Sequence, residues 1–315
     1  MKNKVVVVGS YNTDLTIKTE RIPLPGETII GGVFSEGRGG KGANQAVAAA
    51  RSGAEVSFIA RVGDDVLGKE GIQKLSEEKI NTRFIFKDNE VSTGVAFIVV
   101  DKKGENSIVV ASGANARLSA EDIKAAHQEI SSADVLLVQL ESPIEAIRKA
   151  IKIAHGNGTT VILNPAPAQP LDQNLLQEID IITPNKVEAE MITGIKVSDE
   201  ESLRSIAKKF FEYGIKNVLI TLGSRGIFAG YSNKMNLIPA YEVYPIDSTG
   251  AGDIFSGSVA AFLSEGMSME KAVNMASASA SISVTRLGAQ SSAPYRIEIE
   301  SFIAKYSSSK DKVFN

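Results

Sequence analysis

Residues 5–8 are four valines in a row, closed by Gly9. An unbroken apolar run of this length is the pattern of a strand buried on both faces of a parallel sheet. The pattern returns in V-S-F-I-A (56–60), D-V-L-L-V-Q-L (134–140), T-V-I-L-N (160–164), I-D-I-I-T (179–183) and N-V-L-I-T-L (217–222). Segments with helical spacing lie between these runs, at 66–79, 119–131, 143–155 and 199–213. Two carry start signals: Ser119 has Asp122 three residues on, and Ser142 precedes Pro143 at a first helical position. Strands alternating with helices predict an α/β fold, with a central, mostly parallel sheet covered by helices on both faces.

Two regions break this rhythm. Residues 14–36 hold L-T-I-K-T, P-L-P-G and E-T-I-I-G-G-V-F. Residues 93–112 hold T-G-V-A-F-I-V-V-D, the turn K-K-G-E and N-S-I-V-V-A-S. Both predict strands joined by turns with no helix between them. They imply a small second sheet built from two insertions, about 14–38 and 92–113, that serves as a lid over a cleft. The plainer alternative is an extension of the main sheet. The C-terminal part predicts helices across 251–287 and 294–306, then a polar tail, S-S-S-K-D-K-V-F-N, that frays. There is no internal repeat and no long linker, so residues 1–315 read as one domain with a discontinuous β lid.

Composition narrows the chemistry. The net charge is −3 and no long basic run occurs, which argues against nucleic acid and membrane surfaces as partners. The chain has no cysteine, so disulfides, thiol nucleophiles and thiolate metal sites are excluded. Its two histidines, His127 and His155, lie in polar, helix-like surroundings and read as surface residues, which excludes a His-rich metal centre. The valines after the basic start are too few for a signal peptide, and no run approaches a membrane span. A cytoplasmic protein is expected.

Glycines concentrate at two places. G-R-G-G-K-G-A-N-Q-A (37–46) looks like a phosphate loop, but Gly42 stands where such a loop has Ser or Thr after the lysine. D-S-T-G-A-G-D (247–253) leaves its backbone uncovered at Gly250, Ala251 and Gly252, just before a helix. Backbone N–H groups at a helix start bind anions. Asp253, in the first turn, either caps the helix or takes a proton from an attacking hydroxyl beside that anion cradle.

Three further stretches carry polar groups at predicted strand ends. In I-T-P-N-K-V-E-A-E-M (182–191), Asn185 and Glu188 fall on one helical face. They are either capping partners or a pair that holds hydrated Mg²⁺ near phosphates. T-L-G-S-R-G (221–226) is either a plain turn or a nucleotide-lining loop at the carboxyl end of a strand. G-S-Y-N-T-D (9–14) is not G-x-G-x-x-G, so a dinucleotide fingerprint is absent. Asn12 and Asp14 there either form an Asx-turn or bond a polyol, with Glu141 of Q-L-E-S-P beside them.

Together these motifs resemble the ribokinase-type (PfkB) family of sugar kinases. G-G-K-G-A-N-Q-A (39–46), with Gly53 and Gly63 at the usual distances, resembles the family's first signature, and D-S-T-G-A-G-D resembles its second. G-S-Y-N-T-D, Q-L-E-S-P, N-P-A-P-A, I-I-T-P-N, T-L-G-S-R-G and V-T-R-L-G-A-Q support the likeness, which runs from Val5 to about Pro294. It implies a three-layer α/β/α fold with a β lid, and ATP-dependent phosphorylation of D-ribose at O5 to ribose 5-phosphate.

The resemblance also implies roles. Asn12, Thr13 and Asp14 would hold the sugar with Gly40, Lys41, Gly42, Ala43, Asn44 and Glu141. Asp253 would be the base, and the N–H groups of Gly250, Ala251, Gly252 and Asp253 the anion hole. Asn185, Thr221, Leu222, Gly223, Ser224, Arg225, Gly226, Gly252, Asp253 and Ser277 would line the ATP site, with Glu188 acting on Mg²⁺ indirectly. Asp247, Thr249, Ser283, Arg286, Gly288 and Ser292 would surround an activating K⁺, partly through backbone carbonyls. The lid sheets would pair two subunits in a homodimer. The chain departs from the family at Ser277, where relatives often carry a larger polar residue, and at Ser258, where Ala or Gly is usual.

Three rivals remain at this point. One is a sugar kinase of the same family acting on deoxyribose, fructose or a nucleoside; Asn12 beside Asp14 and G-G-K-G-A-N favour ribose. Another is a sugar-binding regulator without catalysis, against which the intact Asp253 argues. The third, a nicotinamide-dependent dehydrogenase, lacks its glycine fingerprint.

Overall fold

The computed structural model describes residues 3–231 and 234–313, with side chains described as far as Tyr306. The four valines lie in β1 (Lys4–Val8) and are fully buried. The chain then leaves the main sheet for β2 (Asn12–Lys18) and β3 (Val33–Gly39), and re-enters through α1 (Lys41–Arg51). β4 (Glu55–Gly63), α2 (Val66–Glu77) and β5 (Asn81–Asp88) follow. A second excursion makes the hairpin β6 (Gly94–Val100) and β7 (Asn106–Ala111). After a 3₁₀ turn come α3 (Ala120–Ala125), α4 (His127–Ser131), β8 (Val135–Val138) and α5 (Ile144–Gly156). Next are β9 (Thr160–Leu163), α6 (Gln173–Leu176), β10 (Ile181–Ile182), α7 (Lys186–Thr193), α8 (Glu200–Glu212) and β11 (Asn217–Thr221). An antiparallel pair, β12 (Ile227–Tyr231) and β13 (Lys234–Ile238), precedes α9 (Ala251–Ser264), α10 (Met269–Ser283) and α11 (Arg296–Val313).

The nine-stranded main sheet runs β13-β12-β11-β10-β9-β8-β1-β4-β5, parallel from β11 to β5. Alternate valines of β1 serve two cores. Val6 and Val8 pack with Ile147, Ile151 and Phe210 of α5 and α8. Val5 and Val7 pack with Ala46, Phe255 and Val259 of α1 and α9. Both faces are thus covered, which is why the strand reads as continuous valine. The four-stranded second sheet runs β3-β2-β6-β7, with β2 and β6 as parallel neighbours at its centre.

Several boundaries differ from the sequence reading. The helix expected over 119–131 divides at Ala126 into α3 and α4. The strand expected from Glu27 starts only at Val33, because Gly31 and Gly32 adopt φ of 112° and 106°. Pro143 precedes α5 instead of opening it. The stretch 251–287 holds two helices, separated by Gly266 (φ 89°) and the Ser268 cap of α10. The last helix runs to Val313 through most of the tail expected to fray, and Phe314 and Asn315 lie outside the described residues. β5, β12 and β13 were not legible, since β5 and β13 mix charged and polar residues with apolar ones and β12 is a five-residue run that includes Ala229 and Gly230. His127 and His155 are exposed, as read from their surroundings.

One contact places the site. At Gly257 a Cβ would lie 2.3 Å from Gln45 O and 2.8 Å from Ala48 Cβ, so α9 crosses α1 at backbone distance. The Gly257→Ala variant is expected to lose about 1–3 kcal/mol of stability through overpacking. A urea midpoint equal to the parent's would mean that the two helices separate freely.

Candidate active site

The candidate residues gather at the carboxyl ends of adjacent parallel strands, where open α/β sheets bind ligands. Ser10 to Asp14 follow β1, Glu141 follows β8, Asn164 follows β9, Asn185 follows β10, and Thr221 ends β11. β1 lies between β8 and β4, so the chain switches direction along the sheet at this point.

At the end of β1, Asn115 is the brace. Its Oδ1 accepts from Tyr11 N at 2.9 Å, and its Nδ2 donates to Tyr11 O and Asn12 Oδ1, both at 2.8 Å. Glu141 ties the turn to α1: its Oε2 accepts from Ser10 Oγ at 2.5 Å and from Lys41 N at 3.0 Å. Thr13 and Asn12 are buried. Asp14 is pushed up to about 6 by burial and then by the Glu141 carboxylate.

The glycines before α1 have a structural duty. A Cβ at Gly39 would meet Asp14 Oδ1 at 2.3 Å, and one at Gly40 (φ 86°) would meet Asn12 N at 2.7 Å. They let β3 and α1 press against β2, so their near partners are the chain itself. Gly42 and Ala43 give their N–H groups to Ser10, and Ala43 is core.

Asp253 does not cap its own helix. Gly250, in the left-handed region at φ 74°, precedes α9, and no side chain caps that helix start. Instead Asp253 Oδ2 accepts from Asn44 Nδ2 and Oδ1 from Gln45 Nε2, both at 2.9 Å. The N–H groups of the first turn are therefore available to an anion, apart from Ala251 N, which donates to Ser248 O at 3.3 Å. A Cβ at Gly252 would meet nothing within 4 Å, so the backbone there faces open space.

Charge at this point is balanced by one lysine. Burial raises the Asp253 pKa, against Lys41, Asn44 and Gln45, and Glu141 adds to the rise. Burial likewise raises Glu188, against the Asn185 backbone and Lys41. Burial alone would lower the Lys41 ammonium, but the Asp253, Glu141 and Glu188 carboxylates outweigh it and hold its pKa above the ordinary value. Asn44 Oδ1 is buried with no hydrogen-bond partner. An orphan acceptor beside a carboxylate is a place for a ligand hydroxyl.

A cleft of about 440 Å³ opens on the other side of Asn185. Asn185, Thr221, Leu222, Gly223 and Arg225, five of the residues expected at a nucleotide, line it together with Lys186, Val187, Val197 and Ser198, which the sequence did not single out. Ser224 is exposed and Ser277 buried, and neither is part of this lining. Gly226 (φ 91°) is a turn residue whose Cβ would strike Ile238 O at 2.0 Å. Asn185 and Glu188 form a reciprocal cap: Asn185 Oδ1 accepts from Glu188 N at 2.9 Å, and Glu188 Oε2 from Asn185 N at 2.7 Å. Among the described residues no group of three or more His, Cys, Asp or Glu is placed to hold a metal ion by itself.

Near the start of α9, the 247–250 loop packs on the segment after α10. Asp247 Oδ1 accepts from Thr249 N and Oγ1, and its Oδ2 from Gly288 N at 2.8 Å. Burial opposes ionisation of Asp247, but these bonds hold its pKa below the usual value. Ser283 and Ser292 are buried with hydroxyls bonded to Ala280 O and Ala289 O, while the Arg286 side chain turns away to Glu298.

Sequence reasoning missed Ser10, Asn115, Gln45, Gln139 and Asn164. The available signal was a polar residue inside an apolar run, as at Gln139 in D-V-L-L-V-Q-L.

A model of the pfkB family of carbohydrate kinases matches residues 2–296. The chain is 46% identical to a Haemophilus influenzae protein named ribokinase, over 96% of this chain and 99% of that one. It is 37% identical to a Salmonella typhi protein named deoxyribokinase, over 92% and 95% of the two chains. Its fold is similar to that of Arabidopsis thaliana ribokinase complexed with ribose and ATP, with a TM-score of 0.89 and 31% identity, covering 96% of this chain and 99% of the other.

Asp14 generates a pH-dependent prediction. Its pKa is raised from 3.8 to about 6 in the folded chain, so the native state is penalised as pH rises through this window and carries the full penalty above it. Asp14→Asn is expected to stabilise the protein by about 1–2 kcal/mol at pH 8 and to leave stability nearly unchanged at pH 4. Melting curves at the two pH values check this; an equal shift at both would show that Asp14 carries no buried charge.

Proposed function

The chain belongs to the pfkB family of carbohydrate kinases, and from this premise we propose that it transfers the γ-phosphoryl group of ATP to O5 of D-ribose. The products are ribose 5-phosphate and ADP. The observation that carries this reading is Asp253: a buried carboxylate, fixed from α1, beside an uncapped helix start that faces open space. The relative complexed with ribose and ATP supports both substrates.

In the proposed mechanism Asp253 takes the O5 proton as O5 attacks phosphorus in line, and the bond from phosphorus to the ADP oxygen breaks. The N–H groups at the Gly250–Asp253 helix start stabilise charge on the transferring group. A raised pKa suits a base working near neutral pH. Asn12, Thr13, Asp14, Gly40, Lys41, Asn44 and Glu141 hold and orient the sugar, and the unpartnered Asn44 Oδ1 accepts from one of its hydroxyls. The cleft lined by Asn185, Thr221, Leu222, Gly223 and Arg225 takes the nucleotide.

Mg²⁺ fits Glu188 only with the substrate's phosphates and water completing its shell, since no multi-carboxylate cage is built here; it would supply charge neutralisation at the phosphates. K⁺ would be held by oxygens of Asp247, Thr249, Ser283, Arg286, Gly288 and Ser292, partly backbone carbonyls, and would steady the loop that leads into the anion hole; the bond from Gly288 N to Asp247, which joins the two segments, supports this reading.

The small sheet acts as a lid of a single domain, excluding water when it closes. It exposes Val33, Phe34, Phe97, Ile108 and Val109, an apolar surface that a second copy of the chain would cover in a homodimer. The supply of ATP favours the cytoplasm as the working compartment, and no described helix is long and apolar enough to cross a membrane.

An ADP-release assay over a sugar panel is expected to give the highest kcat/KM with D-ribose. Equal or better turnover of 2-deoxyribose would overturn the substrate assignment. Asp253→Asn is expected to keep sugar binding and lose at least about a hundredfold in kcat. Activity within about tenfold of the parent, roughly 1.4 kcal/mol of barrier, would reject Asp253 as the base. Exchange of K⁺ for Na⁺ is expected to lower the rate, and an unchanged rate would remove the cation site.

A further inference from the structure

Behind Asp253 lies a chain of buried amides. Gln45 Nε2 donates to Asp253 Oδ1 at 2.9 Å and to Asn164 Oδ1 at 3.0 Å. Gln45 Oε1 accepts from Gln139 Nε2 at 2.6 Å. Asn164 Nδ2 donates to Thr183 O at 2.8 Å. Gln45 and Gln139 are 0% exposed and Asn164 is 6% exposed, so water does not substitute for these partners.

We infer that Gln45 is the positioning residue of the reaction, holding Asp253 through Oδ1 with a donor that is itself fixed from behind, so that Oδ2 takes the proton. The direction of the array carries the argument. Thr183 O can only accept, so Asn164 turns its amide nitrogen there and its oxygen to Gln45. Gln45 then spends both Nε2 hydrogens, one on Asn164 and one on Asp253. Flipping Gln45 would set its oxygen against two acceptors, so the array has one arrangement. Its end is an N–H aimed at Oδ1, which favours an unprotonated oxygen there. Oδ2 also accepts an N–H, from Asn44 at 2.9 Å, but the oxygen of that amide has no partner to hold its orientation, so Oδ2 is the oxygen that receives the hydrogen: the sugar O–H bond breaks, an O–H bond forms on Oδ2, the freed electron pair attacks phosphorus, and the bond from phosphorus to the ADP oxygen breaks.

This inference rests on the reading of Asp253 as the base. The groups whose charge faces Asp253 are Lys41 of α1, Glu141 after β8 and Glu188 of α7, and all three stay in place in the test. Gln45→Glu keeps the shape but sets a second carboxyl against Asp253 Oδ1. The two must then share a proton, which delays ionisation of the pair. The acid limb of the kcat profile is expected to move at least one pH unit upward, with sugar affinity within about threefold of the parent. Gln45→Leu, which removes the donor without adding charge, is expected to lower kcat at least tenfold with KM within about threefold.

A folded Gln45→Glu variant with an unmoved limb would overturn the inference. So would a limb that moves only together with loss of sugar binding. Failure of both variants to bind sugar or to melt cooperatively would also overturn it, because the array would then support the core and not the carboxylate. The assays use the sugar that the parent turns over fastest, so a wrong substrate assignment shows in the parent and leaves this comparison intact.

Discussion

A buried carboxylate is costly unless its charge is met by donors, and Asp253 is met by donors from another part of the chain. Asn44 and Gln45 reach it because α1 and α9 cross at Gly257, which puts no side chain of α9 in the way. Lys41 supplies the positive charge and shares it among three carboxylates. The start of α9 is left uncapped for the same reason: Asp253 is occupied across the interface and does not cap its own helix. The crossing thus places a buried carboxylate and an uncapped helix start at one point.

The main sheet serves this crossing. β1 is anchored on both faces, and its carboxyl end delivers Ser10 to Asp14 beside α1. Glu141 and Asn115 then fix that turn from two further elements. Ser10, Asn12, Asn115 and Glu141 are bonded to one another or to the turn before any ligand arrives, whereas Asn44 Oδ1 has no partner. Groups fixed in this way lose little ordering entropy on binding.

Much of this was legible in the sequence, and the failures have physical causes. The strands buried on both faces announced themselves as valine, leucine and isoleucine runs, whereas β13, at the edge, mixes polar and apolar residues, and β12 beside it is a short run broken by Ala229 and Gly230. Asn185 and Glu188 were recognisable as a pair, and the structure uses them as a helix cap. The glycines at 39 and 40 were noticed as exposed backbone, but their close partner is β2, which a local motif does not reveal. Gln45 was passed over because its meaning lies in residues 119 and 208 positions away.

That separation has a bearing on how the chain comes into being. Asn44 is made 209 residues before the aspartate it holds. During synthesis the amides of α1 wait beside a half-built sheet, with no carboxylate to receive them. On the proposed mechanism, a chain with the turn after β1 but without α9 has neither base nor anion hole, so chemical competence arrives in one step, when α9 docks.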